Sequence, residues 1–131
     1  MAKRAHPKAF QDAMGKIAQT LVVLINDKLK DRKWKLKNKK WISAYVDRRG
    51  SLDTAIICKL RITMEDQSSF ARLHTSSEIE NTFDEIWRSK DSIFPEKWYG
   101  VKLTVTPEGK WEVALDHDPK CVEDPTFFDP A

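Results

Sequence analysis

Residues 28–41 contain eight basic side chains, with Trp34 and Trp41 interleaved among them. Cationic groups contact phosphate and aromatic faces stack on bases, so Lys33, Lys35, Lys37, Lys39 and Lys40 are candidates for a nucleic-acid surface. The competing reading is a solvated edge strand, where lysines block edge-to-edge aggregation. In a strand register Trp34 and Leu36 face away from the lysines, which favours core tryptophan over a stacking platform. The second charged stretch has the opposite sign. Residues 108–131 hold seven carboxylates against Lys110 and Lys120. Glu112 and Asp116 share the face opposite Trp111, Val113 and Leu115, and Asp118, Glu123, Asp124 and Asp129 extend the charge. Phe127 and Phe128 lie within that acidic tail, placed to pack on the domain or to anchor a partner. A negative surface with an aromatic anchor suits a cationic protein, because charge speeds the encounter and buried aromatics hold the complex. The plainer alternative is solubility.

Catalytic spacings are missing. Four glycines leave little material for a phosphate loop, and neither CxxC nor HExxH occurs. His6, His74 and His117 are scattered. His117 sits between Asp116 and Asp118, an arrangement that raises an imidazole pKa or contributes to a metal site, but equally one found at a solvated strand end. Cys58 lies in an apolar alternating run, which reads as a core thiol rather than a nucleophile. Adjacent carboxylates such as Asp84 and Glu85 do not face each other on a helix. The expectation is a protein without catalytic residues, metal or cofactor.

A chain of 131 residues suits a single domain with one core. Its net charge of +3 conceals an asymmetry: residues 1–50 carry 14 Lys/Arg against 4 Asp/Glu, and residues 51–131 carry 9 against 16. Such asymmetry points to a charged partner. No apolar run approaches a membrane span and no signal-peptide pattern precedes the first element, so the expected location is the cytoplasm. Two cysteines in such a chain are expected to be free thiols.

These side chains need elements to position them. Phe10, Met14, Ile17, Leu21, Leu24 and Leu29 recur at helical spacing, predicting a long helix over residues 7–31. Period-two alternation then predicts strands over 33–47, turning at Asn38-Lys39, with Ile42, Ala44 and Val46 on one face. Asp47-Arg48-Arg49-Gly50 reads as a turn. Residues 52–63 read as a strand with Ile56, Cys58, Leu60 and Ile62 on one face and Lys59 and Arg61 on the other, followed by a polar loop or turn over residues 65–69. Capping-box spacings predict a second helix from Ser76 or Ser77 to about Asp91, with Ile79, Phe83, Ile86 and Trp87 inward. Residues 98–116 read as a hairpin about Pro107-Glu108-Gly109-Lys110. Residues 117–131, with three prolines, read as an irregular acidic tail. The fold class is therefore α+β: an antiparallel sheet of four to six strands with a long N-terminal helix and a second helix packed on it.

The hairpin carries a family resemblance. Residues 98–113, Trp-Tyr-Gly-Val-Lys-Leu-Thr-Val-Thr-Pro-Glu-Gly-Lys-Trp-Glu-Val, followed by Asp116-His117-Asp118-Pro119, resemble the C-terminal part of YezG-like immunity proteins. The order of a long helix, a Trp-containing antiparallel sheet, a helix with an acidic-aromatic stretch and this hairpin matches over most of the chain. The resemblance implies a cytoplasmic antidote to a toxin delivered by a neighbouring bacterium, as in contact-dependent growth inhibition. The toxin is often a nuclease, and the antidote binds it tightly without activity of its own. Under it, Glu112, Asp116, Asp118, Glu123, Asp124, Phe127, Phe128 and Asp129 are the candidate partner-binding residues. The basic N-terminal half departs from the acidic character usual in antidotes to cationic nucleases. The alternative from another class is a small RNA-binding protein using residues 28–41.

Overall fold

The computed structural model describes residues 7–29, 40–50, 56–72 and 76–123. Helix α1 runs Lys8–Leu29, with the Pro7 carbonyl accepting from the Gln11 amide. Its buried face is Phe10, Met14, Ile17, Ala18, Leu21 and Ile25. Ile25, not Leu24, takes the core position, because a step of four from Leu21 keeps to the stripe while Leu24 falls at its half-buried margin.

Strand β1, Trp41–Arg49, is the centre of a five-stranded antiparallel sheet in the order β3-β2-β1-β4-β5. Its neighbours are β2, Ile57–Met64, and β4, Gly100–Val105; β3, Ser69–Arg72, and β5, Trp111–Asp116, form the edges. A register shift between Trp41 and Ser43 changes the expected alternation. One extra residue at this bulge lets Trp41 join Ala44 and Val46 on the core face and turns Ile42 outward, 42% exposed. The Trp41 indole then donates to Asn26 Oδ1 of α1 at 2.9 Å.

The expected turn at residues 47–50 is instead the end of β1. Asp47, Arg48 and Arg49 pair with Lys59, Cys58 and Ile57 on one side and with Lys102, Val101 and Gly100 on the other. A central strand held on both sides has no freedom to turn there, and the bend waits for Gly50, at φ 147°. The polar segment after β2, expected as a loop or turn, is a tight hairpin turn with Gln67 at φ 72°, and its last residue, Ser69, already begins the short β3. Four residues are too few for their alternation to stand out from a polar loop. The first predicted strand and its turn at Asn38-Lys39, and the start of the predicted strand at 52–55, lie outside the described residues.

Helix α2, Ser77–Ile93, is capped by Ser76, whose hydroxyl accepts from the Ile79 amide at 3.3 Å. The third helical position is therefore Ile79, so neither Glu78 nor Glu80 completes a capping box. Ile79, Phe83, Ile86 and Trp87 point inward as expected, joined by Thr82 and Lys90. Both helices cover the same sheet face: α1 packs on α2, β4 and β5. Where they meet, Phe10, Phe94, Trp87 and Trp98 form an edge-to-face aromatic cluster with centroid separations of 5.0–5.9 Å. Buried Lys90, in the last turn of α2, donates to the Trp98 carbonyl and to Asp91, and its own carbonyl accepts from the Phe94 amide that caps the helix. No helix among the described residues is long and apolar enough to cross a membrane.

Candidate protein-binding surface

The helices leave the other face of the sheet to polar side chains, and the acidic hairpin frames one end of it. Thr106 and Lys110 close the β4–β5 hairpin, where Gly109 supplies φ 89° and donates to the Thr106 carbonyl at 3.0 Å. On β5, Glu112 and Ala114 are exposed on this polar face, while Trp111, Val113 and Leu115 are half-buried against the core. The alternation expected for Glu112 and Asp116 is the one observed.

The tail's beginning is more ordered than an irregular segment. Residues Pro119–Glu123 form a 3-10 turn, η1. Asp116 Oδ1 accepts from the Asp118 amide at 3.0 Å, Asp118 Oδ1 accepts from the Lys120 amide at 2.9 Å, and the Asp118 carbonyl accepts from the Cys121 amide. These side-chain-to-backbone bonds bend the chain back so that Cys121 is buried against the sheet. Gly100 makes room: a β-carbon there would stand 3.2 Å from Asp116 Cβ, 3.3 Å from Arg49 Cγ and 3.4 Å from Cys121 Sγ. Asp116 and Asp118 thus carry part of the architecture, while Glu112 and Glu123 stand exposed at the surface. Asp124, Phe127, Phe128 and Asp129 lie outside the described residues, as do Lys33, Lys35, Lys37 and Lys39. Lys40 is exposed immediately before β1.

Beside η1 the polar face gathers residues whose sequence positions gave no hint of their meeting. Arg49 grips both Asp47 carboxylate oxygens, at 3.1 and 3.0 Å, and donates to the Cys121 carbonyl at 2.9 Å. Asp47, Arg49, Lys102, Asp116 and His117 border a recess of about 250 Å³. Lys102 and Lys59 reach across neighbouring strands to the Tyr45 ring, at 4.3 and 5.9 Å from its centre. Lys59 and Arg61 do point away from the core, yet both are buried, since their long side chains lie along the sheet; Arg61 donates to Ser69 Oγ. Their alternation with Cys58, Leu60 and Ile62 was the available signal, but it does not reveal lateral packing. A second recess, of about 610 Å³, opens where Trp111 meets Thr104, Thr106, Lys110 and Glu112.

The nucleophile candidates are poorly placed for covalent chemistry. Burial, helped by the Glu80 carboxylate, pushes the Cys58 thiol up to about 12. Burial and then Asp116 push the Cys121 thiol up as well. A buried neutral thiol is a weak nucleophile. Both cysteines are free, and His117 Nδ1 lies 2.9 Å from the Lys97 carbonyl. Among the described residues no three His, Cys, Asp or Glu side chains converge on a metal-sized site.

The Cys58 shift carries a pH signature. Its folded value stands above the ordinary 9.0, so the native state holds this proton more tightly than the unfolded chain. That contribution is full below pH 9.0 and is lost as pH rises toward about 12. Cys58→Ala is therefore expected to show a shallower loss of stability than the parent above pH 9, measured by urea unfolding across the alkaline range. Identical slopes would place the Cys58 thiol in a solvated setting.

Neither models of known protein families nor curated protein sequences give a match to this chain.

Proposed function

We propose that this protein is a non-enzymatic immunity protein that neutralises a bacterial toxin domain, a nuclease by the resemblance, through a tight protein–protein complex in the cytoplasm. The observation that carries the reading is the acidic surface built by β5 and η1. Glu112, Asp118 and Glu123 are exposed there, and Asp116 is half-buried beside them. Exposed carboxylates steer a cationic partner into contact. The hairpin that carries the resemblance also builds this surface.

The test starts with a tagged protein purified from its native cells after nuclease treatment. A stoichiometric toxin domain recovered by mass spectrometry, whose toxicity co-expression of this protein abolishes, is the expected result. Retention of RNA alone, stripped by salt, would move function to residues 28–41. With the toxin in hand, Glu112→Lys and Glu123→Lys together are expected to slow association about tenfold at low ionic strength, with a smaller effect on dissociation. These positions are preferred to Asp116 and Asp118, whose replacement also removes the bonds that shape η1. An unchanged association rate would remove this surface from the contact.

A further inference from the structure

We propose that the free edge of β5 pairs with β5 of a second copy of this chain, joining the two sheets in a symmetric dimer centred on Val113. Among the described residues, β5 has one neighbour, β4. The Thr106 amide donates to the Lys110 carbonyl, which fixes the parity of the hairpin ladder. With Thr104 opposite Glu112 and Lys102 opposite Ala114, those pairs are the hydrogen-bonded ones. The amides and carbonyls of Trp111, Val113 and Leu115 consequently face outward, along the open edge.

Edges are ordinarily blunted by brevity, proline, inward charge or a bulge. The opposite edge, β3, is only four residues long. By contrast β5 has six residues, Trp-Glu-Val-Ala-Leu-Asp, with no proline, no lysine and an unbroken register against β4. Its core-facing row, Trp111, Val113 and Leu115, remains half-buried, so apolar surface is left for a further strand to cover.

The side chains choose the occupant. Only registers that set outward-facing residues opposite each other satisfy the edge, which in an antiparallel two-fold leaves centres at Val113 or Ala114 for near-complete overlap. Centring on Ala114 opposes Glu112 to Asp116 of the other copy, twice, and like charges directly opposite are destabilising. Centring on Val113 sets Trp111 against Leu115, Val113 against Val113, and Lys110 against Asp116 in both halves. Lys110 and Asp116 then stand in non-hydrogen-bonded pairs, where side chains approach most closely. Both the apolar row and the charges are self-complementary in this register. The pairing uses Glu112 and Asp116 of β5, which the toxin-binding reading also uses, and leaves Asp118 and Glu123 exposed beside it; the edge geometry that carries it is independent of that reading.

Sedimentation velocity on the full chain, at concentrations up to about 0.1 mM, tests this. The parent is expected to sediment at twice its 15.2 kDa mass. Val113→Pro removes an outward donor while leaving the bonds to β4 intact, and is expected to sediment as a monomer with an unchanged far-ultraviolet spectrum. Lys110→Glu leaves the backbone alone and turns two attractions into two repulsions. It is expected to raise the dimer dissociation constant about tenfold. A monomeric parent overturns the proposal, as does a dimer that survives Val113→Pro. A dimer indifferent to Lys110→Glu overturns the Val113-centred register.

Discussion

Trp87→Ala is expected to lower stability by about 3–5 kcal/mol, the range for deleting a fully buried aromatic, and it is the most damaging single truncation that the core offers. Trp87 and Trp98 are both buried and stack edge to face at 5.1 Å, so their packing losses are similar. Their indole nitrogens differ. Trp87 Nε1 donates to the Gly50 carbonyl at 3.1 Å, tying α2 to the end of β1, whereas Trp98 Nε1 is buried without an acceptor among the described residues. Trp87→Phe therefore strands a buried carbonyl, while Trp98→Phe removes a donor whose desolvation was uncompensated. The phenylalanine variants are expected to differ by about 1–3 kcal/mol, with Trp87→Phe the weaker protein. Urea midpoints at constant m value measure this directly. The reverse order would mean that Trp98, not Trp87, holds the satisfied indole.

The elements set by a single strong period were legible in the sequence. Helix α1, the inward face of α2 and the β4–β5 hairpin follow from apolar spacing and turn residues alone. The bulge at Trp41 was not legible, because one extra residue inverts the strand's parity without altering its composition. Strand β3 was too short to show an alternation. The surface on β5 was legible at Glu112 and Asp116, since a hairpin fixes which side chains share a face. The backbone duties of Asp116 and Asp118 were not, because they depend on η1 folding back over Gly100. The larger misreading was of Asp47-Arg48-Arg49-Gly50 as a turn. Consecutive charges usually mark solvent, and nothing within that segment says that two flanking strands and a helix close over it. The missing signal lay elsewhere. Glu80 and Asp84 are one helical turn apart on α2, beside Phe83 and Trp87, an acidic edge to an apolar face that can receive a cation from beneath.

That cation is Arg48, and its pairing is unequal in a measurable way. The guanidinium bonds to Asp84, lies 3.8 Å from Glu80 through Nε, and stacks over the Trp87 and Phe83 rings at 4.7 and 5.3 Å. Its side chain is 5% exposed, against 35% for Glu80 and 47% for Asp84. Among the described residues Nε and Nη1 have no hydrogen-bond acceptor. Removing the carboxylates would leave a desolvated charge with nothing to neutralise it, so Glu80→Ala with Asp84→Ala is expected to cost about 3 kcal/mol or more. Removing the guanidinium leaves two carboxylates that already touch water and can be fully hydrated. Arg48→Met fills much of the same space over Phe83 and Trp87, and is expected to stay within about 1 kcal/mol of the parent. Urea is the denaturant to use, since guanidinium chloride would screen the charges under comparison. Equal losses in the two variants would show that the stacking of Arg48 on the aromatic rings, rather than its neutralisation by α2, holds the end of β1 in place. A smaller loss in the methionine variant means that the carboxylates of α2 are what allow a central strand to carry a charge into the core.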